Sequence, residues 1–161
     1  MPRRSLPEPL GQERSWTCGP ASLRWVLRDF GLRVSEARLA KLCRTTRSSG
    51  TSWSGLLEGI EKLGLSARRG EGGTPWNLPE GRTLIGWDDA APGEPQDDHL
   101  SVLVRCSHKT VYLMDPHPLR KGCLREIPIP EFEQRWYDWD FKEKRLIKRG
   151  WVVIDRPYRP S

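Results

Sequence analysis

Apolar residues recur every three or four positions along the first third of the chain and alternate along the remainder, and that change of period divides the molecule. Leu23, Val26, Leu27 and Phe30 fall at i, i+3, i+4 and i+7, the spacing of one buried helix face. Gly19 and Pro20 open this helix, where the N–H that Pro lacks would be unpaired anyway, and Gly31 stops it. Residues 34–43 predict a short second helix with Ser35 as N-cap. Residues 52–63 predict a third, with Leu56, Leu57, Ile60 and Leu63 as its buried stripe and Gly64 as its stop.

From residue 65 the period becomes two. Residues 65–69 suit an edge strand, 70–80 a loop broken by Gly70, Gly72, Gly73, Pro75 and Pro79, and 83–87 a strand. After an acidic loop at 88–98, residues 99–105 and 110–114 predict a hairpin turning at 106–109. A strand at 123–127, a short helix near 130–136 and a last strand at 150–155 follow. Helices first and antiparallel strands after them predict an α+β fold, an N-terminal helical part packed on a C-terminal antiparallel sheet. With 161 residues the chain suits one domain, expected over 12–155 between a flexible arm at 1–11 and a tail at 156–161.

Composition narrows the function classes. No apolar run reaches the roughly 18 residues of a membrane span, and the N-terminus has charge but no apolar signal core, so a cytoplasmic protein is expected. The four cysteines form no CxxC pair and have no His at finger spacing, so neither disulfides nor zinc are expected. The acidic loop lacks EF-hand spacing, so no metal is expected there. The net charge of +6 admits nucleic acid, but the basic residues are scattered. Their densest group, Lys142, Lys144, Arg145, Lys148 and Arg149, accompanies no recognition motif, so no nucleic-acid partner is expected.

One set of residues carries chemistry. Cys18 stands at the mouth of the first helix, where the positive end of the dipole and unpaired N–H groups favour a thiolate. A thiolate nucleophile needs an imidazole to share its proton, a third group to orient that ring, and donors for the oxyanion. His99 begins one strand of the predicted hairpin and Asp115 ends the next. Paired strands lie about 4.8 Å apart, so the two can meet. Gln12, six positions before Cys18, can aim its amide at the same oxyanion as the Cys18 backbone N–H. His117, between two prolines, is a rival base, and His108 is expected to be solvated in the hairpin turn.

Gln12-x5-Cys18-Gly-Pro-Ala, the Gly50-Thr51-Ser52 turn before a helix ending Leu63-Gly64-Leu65, Asp98-His99-Leu-Ser-Val-Leu-Val and Val111-Tyr-Leu-Met-Asp115-Pro116 occur in one order. Together they resemble the bacteriocin-processing cysteine peptidases, the papain-like family that cuts double-glycine leaders, over residues 10–155. The resemblance implies a papain-like fold, Cys18 as nucleophile, His99 as general base and acid, Asp115 orienting His99, and Gln12 as oxyanion donor. It implies no cofactor, a peptide or protein substrate ending in small residues such as Gly-Gly, and association with an export system. With no membrane or ATPase part in the sequence, a stand-alone enzyme is expected, its oligomeric state open. Trp16 and Trp53 flank the region where the resemblance puts the substrate cleft, and are expected to form apolar subsites. Asp97 and Asp98 are expected to border the cleft and favour basic substrates. The alternatives are an acyl-transferase or ubiquitin-like-tail hydrolase of the same fold, and a catalytically silent peptide-binding module.

Overall fold

A computed structural model describes residues 5–117 and 122–157; the ends of the expected arm and tail, 1–4 and 158–161, lie outside it. Helix α1 spans Cys18–Asp29, and Leu23, Val26, Leu27 and Phe30 are all buried along one face. It ends where Gly31 takes a φ of 81°, a left-handed conformation that glycine adopts without strain. Helix α2 spans Glu36–Leu42, its first turn capped by the Ser35 hydroxyl, which accepts from the Arg38 N–H. Helix α3 spans Trp53–Lys62, capped the same way by Ser52 at the Gly55 N–H.

Eight strands follow: β1 (Ala67–Glu71), β2 (Thr83–Asp88), β3 (Asp98–Cys106), β4 (Thr110–Asp115), β5 (Cys123–Pro128), β6 (Tyr137–Asp140), β7 (Arg145–Lys148) and β8 (Gly150–Ile154), with helix α4 (Ile129–Arg135) after β5. Six make one antiparallel sheet in the order β1-β8-β2-β3-β4-β5, while β6 and β7 pair as a separate ribbon. The predicted edge strand is an edge, displaced towards Glu71, and the expected loop at 70–80 holds a single 3-10 turn at Pro75–Asn77.

The sheet has two covered faces because its strands alternate. Leu84, Leu100, Val102, Met114, Val152 and Ile154 point towards the three N-terminal helices and meet Leu23, Val26, Leu39, Leu56 and Ile60. Ile85, Trp87, Leu103, Val111 and Leu113 point to the opposite face, where Phe132 and Trp136 cover them. At roughly 25 cal/mol per Å2 of apolar area, such burial is the main term holding the layers together.

The ribbon β6–β7 has no counterpart in the sequence reading, and its polarity explains why. Asp138 and Asp140 point inward and are buried, while Trp139 and its cross-strand partner Leu146 are exposed. A pattern with acids inside and apolar residues outside inverts the rule by which strands are read. The basic group at 142–149 lies along this ribbon and is partly spent on structure: Arg145 grips both Glu71 oxygens and Arg149 pairs with Glu133.

Candidate active site

The site lies where the start of α1 meets the starting end of β3. Gly19 makes that approach possible, since a Cβ there would meet the Leu100 side chain and the Thr51 hydroxyl at 3.0 Å. Residues 14–17 form a tight turn leading in, with the Thr17 hydroxyl accepting from the Arg14 N–H and donating to its carbonyl. Cys18, the first residue of α1, is half-buried and faces a cleft of about 270 Å3. Ser48, Ser49, Gly50 and Thr51 line one part of it, and Asp98, His99, Leu100, Asp138, Trp139 and Phe141 the rest.

His99 belongs to the same alternating face of β3 as Ser101 and Leu103, opposite Trp87 on β2. Its ring is nearly enclosed, at 6 % exposure, and its Nε2 lies 2.5 Å from Asp115 Oδ1 at the end of β4. Cys18 lines the same cleft as His99 and acts on the ring's proton affinity, and with Nε2 turned to Asp115 the nitrogen left for the sulfur is Nδ1. Burial pushes the imidazolium down, but the bonds to Asp115 and Cys18 and the charges on both outweigh it and raise His99 to about 10. Burial alone would push the Asp115 carboxyl up. Instead the hydrogen bond and charge of His99, the His117 N–H and the nearby Arg125 hold it well below the usual carboxylate range. The three groups therefore favour an imidazolium flanked by an ionised carboxylate and a sulfur.

Gln12 is buried beside this cluster. Its backbone N–H donates to the Pro116 carbonyl at 2.7 Å, strapping the segment before α1 to the residue after Asp115. Its side-chain Nε2 donates to the Arg14 carbonyl at 2.7 Å, which uses one of its two hydrogens.

The substrate-contacting residues expected from sequence divide. Asp98 lines the cleft, its Oδ1 accepting from the Trp139 N–H and the Gln96 amide. Asp97 does not: it lines a separate depression with Asp89, Glu94 and His117. Trp53 is also not an open subsite. It is 3 % exposed beneath the cleft, and its indole N–H donates to Asp138 because a buried carboxylate there requires a partner. Trp16 is half-buried against the Arg47 guanidinium and is not among the cleft-lining residues.

The structure adds cleft residues that the sequence did not single out. Trp139 and Phe141 form its apolar rim, and Asp138 its acidic floor. Burial, then the charge of Asp98, raises the Asp138 carboxyl to about 7. An unassigned stretch alternating Tyr, Asp, Trp and Asp carried a strand signal, but with the wrong face inward. Two groupings could bring three ligand atoms to a metal, Asp89 with Asp97 and His117, and Asp89 with His99 and Asp115. In both, Asp89 is already ion-paired with Arg125, so a guanidinium occupies the role of the cation.

Known proteins match this geometry. The model of the peptidase C39 family matches residues 8–139. An uncharacterized protein of Methanothermobacter thermautotrophicus is 34 % identical over 120 residues, covering 72 % of this chain and 76 % of that one. Another from Methanothermobacter marburgensis is 32 % identical over the same shares. Among solved structures, the peptidase domain of Streptococcus ComA, a bi-functional ABC transporter involved in quorum sensing, superposes with a TM-score of 0.71 at 19 % identity. That match covers 93 % of this chain and 98 % of that one. A double glycine motif protease from an AMS/PCAT transporter, solved in complex with the leader peptide, gives 0.70 at 22 % identity, covering 98 % and 97 %. At these identities the two structures speak for the fold, which is the papain-like α+β fold expected from the sequence.

Proposed function

The chain belongs to the peptidase C39 family and is a cysteine peptidase, and from that premise we propose that Cys18, His99 and Asp115 are its catalytic triad and that it cleaves a peptide after a Gly-Gly pair. In this reading the Cys18 thiolate attacks the scissile carbonyl, and the His99 imidazolium gives its proton to the leaving amine. The acyl-thioester then takes up a water whose proton returns to His99, releasing the acid. Asp115 fixes the ring so that Nδ1 faces the sulfur, and the Cys18 N–H with the second Gln12 amide hydrogen receives the oxyanion.

The observation that carries this reading is the enclosed His99–Asp115 pair at 2.5 Å with His99 and Cys18 lining one open cleft. The cleft wall of Ser48, Ser49, Gly50 and Thr51 is built of small residues and suits an extended backbone with little side chain. A peptide library read by mass spectrometry tests it. Cleavage is expected after Gly-Gly, falling about a thousandfold or more in Cys18→Ala. Cleavage that survives in Cys18→Ala removes the nucleophile assignment. Preferential transfer to an added amine makes the chain an acyl-transferase, and binding without turnover makes it a peptide-binding module.

A further inference from the structure

Arg125 lies on β5, two residues along the ladder from Cys123, the cross-strand partner of Asp115. The pairing of Leu113 with Arg125 puts the side chains of Asp115 and Arg125 on one face of the sheet. Its Nη1 reaches Asp115 Oδ2 at 3.3 Å and also ion-pairs with Asp89 in the loop after β2. Asp115 is completely enclosed and Asp89 nearly so, while Arg125 keeps 21 % of its side-chain surface. The guanidinium lies 4.9 Å from the centre of the Trp87 ring, as does that of Arg135 from α4, and the same indole neighbours His99 at 6.1 Å.

The oxygens of Asp115 are thus divided between tasks. Oδ1 accepts from His99 Nε2 and from the His117 N–H, so its direction is set by the histidine it serves. Oδ2 faces Arg125. A buried carboxylate that loses a facing cation becomes costlier to keep ionised and freer to rotate away from the ring.

We propose that Arg125 is a positioning residue for catalysis: it holds Asp115 ionised and oriented towards His99, and is itself held by Asp89 and by stacking on Trp87. The proposal rests on the triad reading above. Arg125 touches neither Cys18 nor the cleft lining, and acts only through Asp115. Among the described residues, the charged groups facing Asp115 include His99 from β3, Arg125 from β5, Asp89 and, behind it, Arg135 from α4. His117 stands beside His99.

This arrangement gives two substitutions opposite signs. Removing the positive charge at Arg125 makes the surroundings of His99 and Cys18 more negative, so that the thiolate forms only at higher pH, and removing the negative charge at Asp89 does the reverse. The readout is the rate of Cys18 modification by iodoacetamide between pH 4 and 9, with the modified thiol assigned by peptide mass. Arg125→Gln is expected to move the acid limb of that profile up by roughly one pH unit, the scale of one close charge. Asp89→Asn is expected to leave it in place or move it down. Arg125→Lys, which keeps the charge but loses the planar group that stacks on Trp87 and fixes its direction, keeps the limb and lowers the plateau rate severalfold.

A merely structural salt bridge would lower the melting temperature in all three variants without moving the limb. The proposal is overturned if Arg125→Gln leaves the limb where it is, if Asp89→Asn moves it upward, or if Arg125→Lys reacts at the wild-type plateau rate. If Arg125→Gln does not fold, the Asp89→Asn and Arg125→Lys outcomes decide alone. Asp115→Ala, which leaves no acceptor for the ring, separates this from the underlying reading: a wild-type profile in that variant removes the triad itself, whereas a collapsed one with an unmoved Arg125→Gln limb removes only Arg125.

Discussion

Cys18 and Cys43 show how far placement alone can separate two copies of one residue type. Cys43 follows α2 and is sealed against α3, and burial pushes its thiol up to about 12. At neutral pH it is protonated and out of reach. Cys18 opens onto a cleft that it lines together with the His99 imidazole. Iodoacetamide at pH 7 is therefore expected to modify Cys18 within minutes and to leave Cys43 intact until the chain is unfolded in denaturant, as peptide mapping would record. Modification of Cys43 in the folded protein would mean that α2 and α3 separate readily. The residues that sequence pattern brought forward, Cys18, His99 and Asp115, are those whose role depends on standing at an element's end, which pattern reports. Arg125 and Asp138 depend on what lies across a sheet, and pattern along one strand does not carry that. Trp53 was misplaced for the same reason: its distance from Cys18 along the chain says nothing about the ribbon that covers it.

At the scale of elements, the ribbon β6–β7 is joined to α3 by two buried carboxylates, Asp138 at the Trp53 indole and Asp140 at the Trp53 backbone. Asp140 Oδ2 accepts from the Trp53 N–H at the start of α3, one of the donors that a helix leaves unpaired. Its Oδ1 accepts from Lys142 and Glu143, shaping the turn between β6 and β7. Trp139 and Phe141, on either side of Asp140, form the rim of the cleft. Asp140→Ala should remove three hydrogen bonds to a buried charge, costing about 2–3 kcal/mol at least. In a domain of this size that lowers the melting temperature by roughly 5–10 °C, and peptide cleavage should fall because the rim is released. Ser52→Ala is the contrast. It loses the cap at Gly55 and a contact with the Ser54 hydroxyl, about 1 kcal/mol, and should lower the melting temperature by a few degrees with cleavage intact. Equal loss of cleavage in both would mean that α3, not the ribbon, shapes the cleft. The three helices were legible because each announces itself twice, by a periodic apolar face and by a Ser cap or Gly stop. The main-sheet strands were legible from alternation and breakers. The ribbon was not, because its inward residues are acids whose partners, the Trp53 N–H and Nε1, come from 85 and 87 residues away.

For the molecule as a whole, three buried groups oppose one another in setting the response of the fold to pH. Asp138 has a carboxyl raised by burial and by Asp98 from an ordinary 3.8 to about 7, so the folded chain binds this proton more tightly than the unfolded one. Its contribution to stability is full below about 3.8 and is lost as pH rises through about 7. His99 is raised from 6.5 to about 10, so its contribution is full below 6.5 and is lost as pH climbs through about 10. Asp115 has the opposite sign: held below the usual range, it stabilises above 3.8 and fails as pH falls through its lowered folded value. By these three groups the fold is most stable near pH 4, where Asp115 is ionised and Asp138 still holds its proton, and it weakens towards alkali in two overlapping stretches, first as Asp138 loses its proton advantage up to about 7 and then as His99 does up to about 10. The first step belongs to the cleft, because Asp138 faces Asp98 across its floor and leans on Trp53, with Asp140 adding repulsion and Arg69 relieving it. Melting temperatures measured from pH 4 to 10 should already fall between about pH 4 and 6.5 by at least about 2–4 °C, the change that about 1 kcal/mol produces in a domain of this size. Asp138→Asn, whose carbonyl can still accept from the indole but carries no charge, should flatten that interval and leave the later fall between about pH 6.5 and 10. If the variant keeps the full slope in the acidic interval, the proton lost there comes from another group, and the floor of the cleft is not where this fold senses pH.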